Sequence, residues 1–258
     1  RRDLLGMPSL AIVGSRSPTA QGRDNARAFA KALAQAGYTI VSGLALGIDA
    51  ASHEGALDGA GDTIAVVGTG LDQVYPPRNQ ALAARLLAEG GLIVSEYSLG
   101  APITQANFPK RNRIIAGLSQ GCLVVEAAVQ SGSLITARLA SEAGREVFAI
   151  PGSIHSPQSR GCHALIRQGA KLVESAQDVL EELPPLGAKP QAVEEAVEKP
   201  HEQQALLDAM GFDPVSLDAL MARCGWPAAE LSAALLELEL DGHVARLAGQ
   251  LFQRRGQG

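Results

Sequence analysis

The sequence predicts an α/β protein with a mostly parallel sheet, followed by a small second unit of helices and a hairpin. Apolar residues make up 46% of the 258-residue chain and aromatic residues only 3%. The core is therefore built from Ala, Val, Leu and Ile, which suits buried parallel strands flanked by Ala-rich helices. Short apolar runs also alternate with helical stretches over the first 175 residues. That alternation is typical of βαβ units.

Six apolar runs are the predicted strands of the sheet, and five helical stretches lie between them. The predicted strands are Leu10–Val13, Thr39–Val41, Thr63–Val67, Leu92–Val94, Leu123–Val125 and Glu146–Ile150. The predicted helices lie near residues 20–36, 48–60, 79–89, 110–118 and 133–143. Right-handed crossovers would place helices on both faces, which gives a doubly wound sheet.

A Pro-, Glu- and Gln-rich stretch over residues 184–204 predicts a linker between two domains. The first domain then covers residues 1–183 and the second covers 205–258. In the second, helices are expected near 203–210, 216–223 and 228–240, with Ser216 as an N-cap. The segments 243–247 and 251–253 read as a hairpin, so the second domain is predicted to be winged-helix-like.

Charge is distributed unevenly between these two parts of the chain. The net charge is −5. Residues 1–175 carry 16 Lys and Arg against 13 Asp and Glu, whereas the remainder carries 6 against 14. Because the local field steers a polyanion, the first domain can still bind one. The last predicted helix of the second domain carries acids and no Lys or Arg, so we expect protein docking or regulation there, or an inert cap, rather than DNA reading.

The cysteine content and the hydropathy of the chain indicate the cellular compartment in which it works. The three cysteines lie far apart, with no CxxC pair, which predicts a reducing cytoplasm and no zinc site. No apolar run approaches the about 18 residues that a membrane span needs.

The five histidines are scattered, so we expect no metal. Neither a P-loop nor a G-x-G-x-x-G after the first strand is present, so no cofactor is expected.

The loops after the predicted strands share a chemical theme. Ligands of an open parallel sheet bind beyond the carboxyl ends of its strands. Each of these loops supplies glycines or hydroxyls, and three supply cations. The run from Asn107 to Gly117 adds an aromatic ring to three cations. Stacking surfaces and phosphate ligands are the two needs of single-stranded nucleic acid binding.

Several of these residues also have a purely structural interpretation. The loop glycines can simply form tight turns. Asp49 is expected to cap the helix that it begins, and His53, one turn later, to pack beside it. Glu126 is expected to pair with a loop arginine. Arg111 and Arg113 cannot both face the core at a spacing of two, so at least one should face solvent or a ligand.

Blocks of sequence that occur together and in order resemble the DNA-processing protein A (DprA) family. They are Ile12–Arg16, Ser42–Asp49, Asn107–Ser119, Ser131–Ala137 and Pro151–Gly152. The resemblance implies an extended Rossmann-like, doubly wound fold that binds single-stranded DNA. It further implies a homodimer without known catalytic activity that loads the recombinase RecA onto incoming strands in natural transformation, with single-strand-binding protein as a further candidate partner.

The resemblance also implies roles for particular residues. Arg16 would hold a backbone phosphate with the Gly14 and Ser15 amides, and Phe108 would meet a base face. The family often has a lysine where this chain has Gln105. Lys110 can supply the missing positive charge from the other side of Phe108. The expected strand-binding residues are Gly14, Ser15, Arg16, Gly43, Arg78, Phe108, Lys110, Arg111, Arg113, Ser131, Gly132 and Ser133. The expected dimer and RecA interface comprises His163, Leu165, Ile166 and Arg167.

Two other functions remain open at this point. Rossmann-like nucleotide-binding enzymes of the phosphoribohydrolase kind also place glycines and a Glu around the fifth strand. Their usual Pro-Gly-Gly-x-Gly-Thr-x-x-Glu run is absent here. A protein-binding regulator that acts through its tail is the third possibility.

Overall fold

The computed structural model describes residues 1–184, 206–211, 214–240, 243–247 and 251–254. The chain divides into two compact units, Arg1–Gly187 and Ala188–Gly258. Most of the predicted linker, 184–204, lies outside the described residues, so the predicted domain boundaries stay predictions. Among the described residues, no helix combines the length and the apolar character that crossing a membrane requires.

The first unit is a seven-stranded, fully parallel sheet with helices between its strands. Its strands are β1 (Ser9–Val13), β2 (Thr39–Ser42), β3 (Thr63–Val66), β4 (Leu92–Val94), β5 (Gly121–Val124), β6 (Glu146–Ala149) and β7 (Lys171–Leu172). Its helices are α1 (Ala20–Gln35), α2 (Ile48–Asp58), α3 (Gln80–Ala88), α4 (Asn107–Leu118), α5 (Ser133–Glu142), α6 (Arg160–Arg167) and α7 (Ala176–Leu180). The strand order is β4-β3-β2-β1-β5-β6-β7, which confirms the predicted fold class.

The central strands are buried on both faces, which explains their unbroken apolar sequence. Leu10 and Ile12 of β1 face one apolar cluster with α1 and α2. Ala11 and Val13 face a second cluster with α4 and α5. Because successive side chains of a strand alternate between faces, four consecutive apolar residues fill both layers.

The strand order reverses at β1, and this positions the functional site. From β1 the chain proceeds outward through β2, β3 and β4, and then returns to place β5 on the other side of β1. The loops after β1 and β5 therefore separate and leave a crevice at the carboxyl edge of the sheet. Such a reversal is where doubly wound proteins bind their ligands.

The second unit contains the predicted helices and hairpin. It has β8 (Val215–Ser216), α8 (Leu217–Cys224), α9 (Ala228–Leu240), β9 (Val244–Leu247) and β10 (Leu251–Arg254), and residues 206–210 are also helical. The Ser216 side chain accepts a hydrogen bond from the Ala219 amide, which confirms the predicted N-cap. β9 and β10 pair antiparallel, and β8 adds a third strand that the sequence analysis missed.

Candidate nucleic-acid interface

A crevice of about 530 Å³ lies at the point where the strand order reverses. Eight of the predicted strand-binding residues line it: Gly14, Ser15, Arg16, Phe108, Arg111, Ser131, Gly132 and Ser133. They come from the loop after β1, the first two turns of α4, and the loop that leads into α5 together with its first residue. Because these segments lie far apart in sequence, only the parallel sheet brings them together.

Close main-chain contacts hold the loop after β1 in place. The Ser15 amide donates to the Glu126 carbonyl at 2.7 Å, and the Ile48 amide donates to the Ser15 carbonyl at 3.1 Å. Gly47 has a φ of 82°, and a Cβ there would overlap the Ser15 carbonyl oxygen, so glycine is required. The Ser15 amide is therefore not free to hold a phosphate as expected, whereas the Ser15 hydroxyl, which accepts from the Ser17 amide at 3.1 Å, can still donate to a ligand.

An aromatic pair with a guanidinium beside it forms the mouth of the crevice. The rings of Phe108 and Tyr75 stack with their centroids 5.4 Å apart and an interplanar angle of 30°. The guanidinium carbon of Arg16 lies 5.8 Å from the Phe108 centroid, within the range of a cation–π contact. Tyr75 is 41% exposed and Phe108 is half-buried. The mouth thus presents a cation and apolar ring surface together.

Tyr75 was missed as a site residue by the sequence analysis. The signal was its position in the loop after β3, three residues before Arg78. Asn79 ties this loop to the loop after β2, because its Nδ2 donates to the carbonyls of Leu44 at 2.8 Å and Ala45 at 3.1 Å. The Tyr75 ring is therefore carried by an anchored loop.

Arg111 lies inside the unit and positions the wall of the crevice. Its side chain is only 4% exposed. The guanidinium donates to the carbonyl oxygens of Val66 and, at 3.3 Å, of Phe108. A Cβ at Gly43 would overlap this guanidinium, so Gly43 makes room for Arg111. Arg111 and Gly43 together fix the start of α4, which carries Phe108.

Asp49 is the buried carboxylate whose charge interacts with the Arg111 guanidinium. It lies in the first turn of α2, whose N-cap is Gly47, so the expectation that Asp49 caps the helix is wrong. Its carboxylate instead accepts from the amides of Gly43 at 3.2 Å and Ala45 at 3.4 Å. Burial raises the pKa of Asp49, and the Arg111 charge and these amides oppose that rise. Burial likewise lowers the pKa of Arg111, and Asp49 counters it.

The expectation that Glu126 pairs with a loop arginine is also wrong. Its carboxylate accepts from the Thr19 amide at 2.9 Å and from the Thr19 hydroxyl at 2.5 Å. A Cβ at Gly22 would overlap that carboxylate, so α1 begins tightly against it. Glu126 thus fixes the start of α1.

Four predicted strand-binding residues do not line the crevice: Gly43, Arg78, Lys110 and Arg113. Arg78 and Lys110 are exposed. Arg113 is exposed and forms an ion pair with Glu96. Arg113 is thus the outward-facing member of the pair with Arg111, as the spacing of two requires.

The residues expected at a dimer and RecA interface lie on α6. His163 bonds through Nε2 to the Gly152 carbonyl at 3.0 Å. Leu165 and Ile166 are half-buried and pack against the apolar cluster under α4 and α5. Arg167, at the end of the helix, is exposed. The structure contains one chain, so the interface itself stays a prediction.

The fold and crevice define a doubly wound α/β protein with a cationic, aromatic-rimmed cleft at the switch point of its sheet. The model of the family described as DNA recombination-mediator protein A matches residues 2–184. A second family model, described as the DprA winged helix domain, matches residues 187–250. The chain belongs to the DNA recombination-mediator protein A family, which confirms the resemblance and the winged-helix prediction.

Relatives are similar to this chain over most of its length. Protein Smf of Escherichia coli (strain K12) is 48% identical over 253 residues, which is 95% of this chain and 68% of that protein. The X-ray structure of DNA processing protein A from Streptococcus pneumoniae has a TM-score of 0.67 and 50% identity over 71% of this chain and 64% of its own. DNA processing protein A from Helicobacter pylori, whose structure concerns its single-stranded DNA binding mode, has a TM-score of 0.65 and 32% identity. That match covers 71% of this chain and 86% of its own.

Proposed function

We propose that this protein binds single-stranded DNA along the crevice and acts as a non-enzymatic recombination mediator. The observation that carries this proposal is the juxtaposition of Arg16 with the stacked rings of Phe108 and Tyr75. A cation beside ring faces can hold a phosphate and stack an unpaired base together. Family membership and the single-stranded DNA binding of the Helicobacter pylori relative support it.

The test is a titration of fluorescent oligo(dT) with the parent chain and with Phe108→Ala or Arg16→Ala. Loss of a stacking ring is expected to weaken binding by about 1–3 kcal/mol per base. Arg138→Ala is the matched control, since Arg138 is 69% exposed on α5 and does not line the crevice. The proposal fails if both crevice variants bind as tightly as the control.

We further propose that the protein loads RecA in natural transformation, within the cytoplasm, and works as a homodimer through α6. Supporting this are the exposed cation Arg167 and the half-buried apolar pair Leu165 and Ile166 on one short helix. Desolvated apolar anchors of this kind can dominate an interface. Sedimentation of Ile166→Arg tests the dimer, and RecA filament growth on protein-coated oligo(dT) with Arg167→Glu tests the loading.

We propose that the protein has no enzymatic role, which can be tested directly by looking for release of a free base. The carboxylate of Glu126 is bonded to Thr19, so it is not offered to a substrate as a general base. Incubation with nucleoside monophosphates is therefore expected to release no free base. Release that is abolished by Glu126→Gln would contradict the non-enzymatic proposal.

A further inference from the structure

Four large apolar side chains are exposed on the two neighbouring loops after β3 and β4. Leu99 is 72% exposed and Leu71 is 55% exposed, while Ile103 and Tyr75 are 44% and 41% exposed. Single exposed apolar residues are ordinary on a protein surface, but a contiguous group of them marks a place that binds something. These four residues, Leu71, Tyr75, Leu99 and Ile103, are called the apolar platform.

Contacts between the two loops make the platform one preformed surface. The Gly100 amide, in the loop after β4, donates to the Asp72 carboxylate, in the loop after β3, at 3.0 Å. A Cβ at Gly70 would lie 3.2 Å from the Leu99 Cα. That close approach brings Leu71, the next residue in sequence, beside Leu99. Because the loops hold each other, no rearrangement is needed before a ligand can bind to the platform.

The platform is continuous with the mouth of the crevice. Tyr75 stacks on Phe108, and a Cβ at Gly68 would lie 2.9 Å from the Phe108 ring. In the sheet order, β3 and β4 are the second and third strands from β1 on one side. At a strand spacing of about 4.8 Å, the platform therefore extends about 10–15 Å to that side of β1. A ligand confined to the crevice does not reach its far end, whereas an extended polymer does.

The charges around the platform suit a polyanion. The acids of the two loops are Asp72 and Glu96, and both are engaged. Asp72 accepts from a backbone amide, which lowers the pKa of its carboxyl, and Glu96 forms an ion pair with Arg113. Arg78, in the loop after β3, and Lys110, in the first turn of α4, are exposed. Both cations were predicted to bind the strand and lie outside the crevice, which places them where phosphates beyond it would pass.

From this arrangement we infer that the apolar platform contacts bases of the strand where it leaves the crevice, so the DNA footprint extends over the loops after β3 and β4. The inference rests on the proposed function. Apolar contact with a base face is sequence-tolerant, because every base has such a face. Four partly exposed side chains supply far less than the about 800 Å² that each partner contributes to a standard protein interface, so a strand is favoured over a protein partner.

The test compares short and long oligo(dT), of about 4 and about 12 nucleotides, by fluorescence anisotropy with the full chain. The double variant Leu71→Ser with Leu99→Ser is expected to bind the long strand about 3- to 10-fold more weakly than the parent and the short strand equally well. The matched control is Leu5→Ser with Leu87→Ser. These leucines are 44% and 56% exposed and lie at the opposite edge of the sheet, before β1 and in the last turn of α3.

Abasic probes separate base contacts from phosphate contacts. Two strands of about 12 nucleotides carry abasic sites over the third of their length at the 5′ end or at the 3′ end. For one of them, the parent is expected to lose the same 3- to 10-fold in affinity, and the double variant is expected to show no further loss. That probe also gives the polarity of the strand. If the parent and the double variant lose affinity equally on both probes, the inference is overturned.

Failure of this inference is distinguishable from failure of the proposed function. If Arg16→Ala weakens binding of both strands while the double variant binds both like its control, the proposed function stands and the platform inference is wrong. If the parent binds neither strand, the proposed function fails and the inference fails with it. A double variant that binds DNA like the parent but sediments as a smaller species assigns the platform to contacts between copies and also overturns the inference.

Urea unfolding shows that any loss of binding is local to the platform. Because Leu71 and Leu99 are mostly exposed, the double variant and the parent are expected to unfold at equal urea concentrations. If the double variant unfolds earlier, the single variant Leu99→Ser replaces it, since Leu99 has the most exposed side chain of the platform. Its expected loss is then confined to the long strand, and equal binding of that strand by Leu99→Ser and the parent overturns the inference.

Discussion

Replacement of Arg111 by Leu is expected to destabilise the first unit strongly rather than merely to weaken ligand binding. The substitution removes two hydrogen bonds from a charged donor, to the carbonyls of Val66 and Phe108. It also leaves the Asp49 carboxylate, 7% exposed, without its neighbouring cation. Hydrogen bonds to charged groups contribute about 1.5–3 kcal/mol each, and removal of one charge of a buried pair costs about 3–5 kcal/mol. The two figures describe the same removal and are not added, so a loss of about 3–5 kcal/mol is expected.

Urea unfolding followed by circular dichroism measures this loss directly. The double variant Arg111→Leu with Asp49→Asn removes the uncompensated charge as well, so it is expected to recover part of the stability. Arg113→Leu, two residues away and exposed, is the matched control and is expected to change the free energy of unfolding by less than about 1 kcal/mol. An Arg111→Leu variant as stable as this control would refute the structural role of Arg111.

Three further predictions concern neighbouring residues. Gly43→Ala places a Cβ against the Arg111 guanidinium and is expected to cost about 1–3 kcal/mol in urea unfolding; an unchanged midpoint would contradict the close packing. Tyr75→Ala removes half of the ring pair and is expected to weaken oligo(dT) binding by about 1–3 kcal/mol, whereas Tyr75→Phe should bind as the parent does. Burial lowers the pKa of His53 from 6.5 to about 3, so between these values the unfolded chain takes up a proton that the folded chain does not. The stability of the parent should therefore fall by about 2 kcal/mol more than that of His53→Asn between pH 7.5 and 5, and equal losses would refute the buried neutral histidine.

The sheet was predictable because its strands are continuous apolar runs at regular spacing. The elements that were missed are short. β7 and β8 have two residues each and α7 has five, too few for a period to show, and the missed helix α6 has only eight, about two turns. A signal for α7 was nevertheless present, since Ser175 and Asp178 form a capping box, the S-x-x-D spacing that marks a helix start.

The start of α4 was placed too late for a related reason. The helix was predicted near 110–118, whereas it begins at Asn107 and contains Pro109 in its first turn. Proline is accepted in the first turn, where the amides have no intrahelical partner. Phe108 thus belongs to the helix, which holds its ring more firmly than a loop would.

Which residues of the site reach a ligand could not be predicted from local sequence. The spacing of Arg111 and Arg113 required that they face different ways, but only the packing of α4 on β3 decides which is buried. The stacking of Tyr75 on Phe108 joins the loop after β3 to the start of α4, across 33 residues of sequence. Contacts of this kind depend on the strand order, which no short motif encodes.

The central claim is that the crevice neutralises the phosphates of an unpaired strand. The most direct measurement is the affinity of the parent and of Arg16→Ala for oligo(dT) over a series of salt concentrations. Release of counterions from a single strand gives a slope of log affinity against log salt of about −0.7 for each neutralised phosphate. The parent is expected to show a steep negative slope, and Arg16→Ala a slope less negative by about 0.7. Equal slopes and equal affinities for the two proteins would contradict the account.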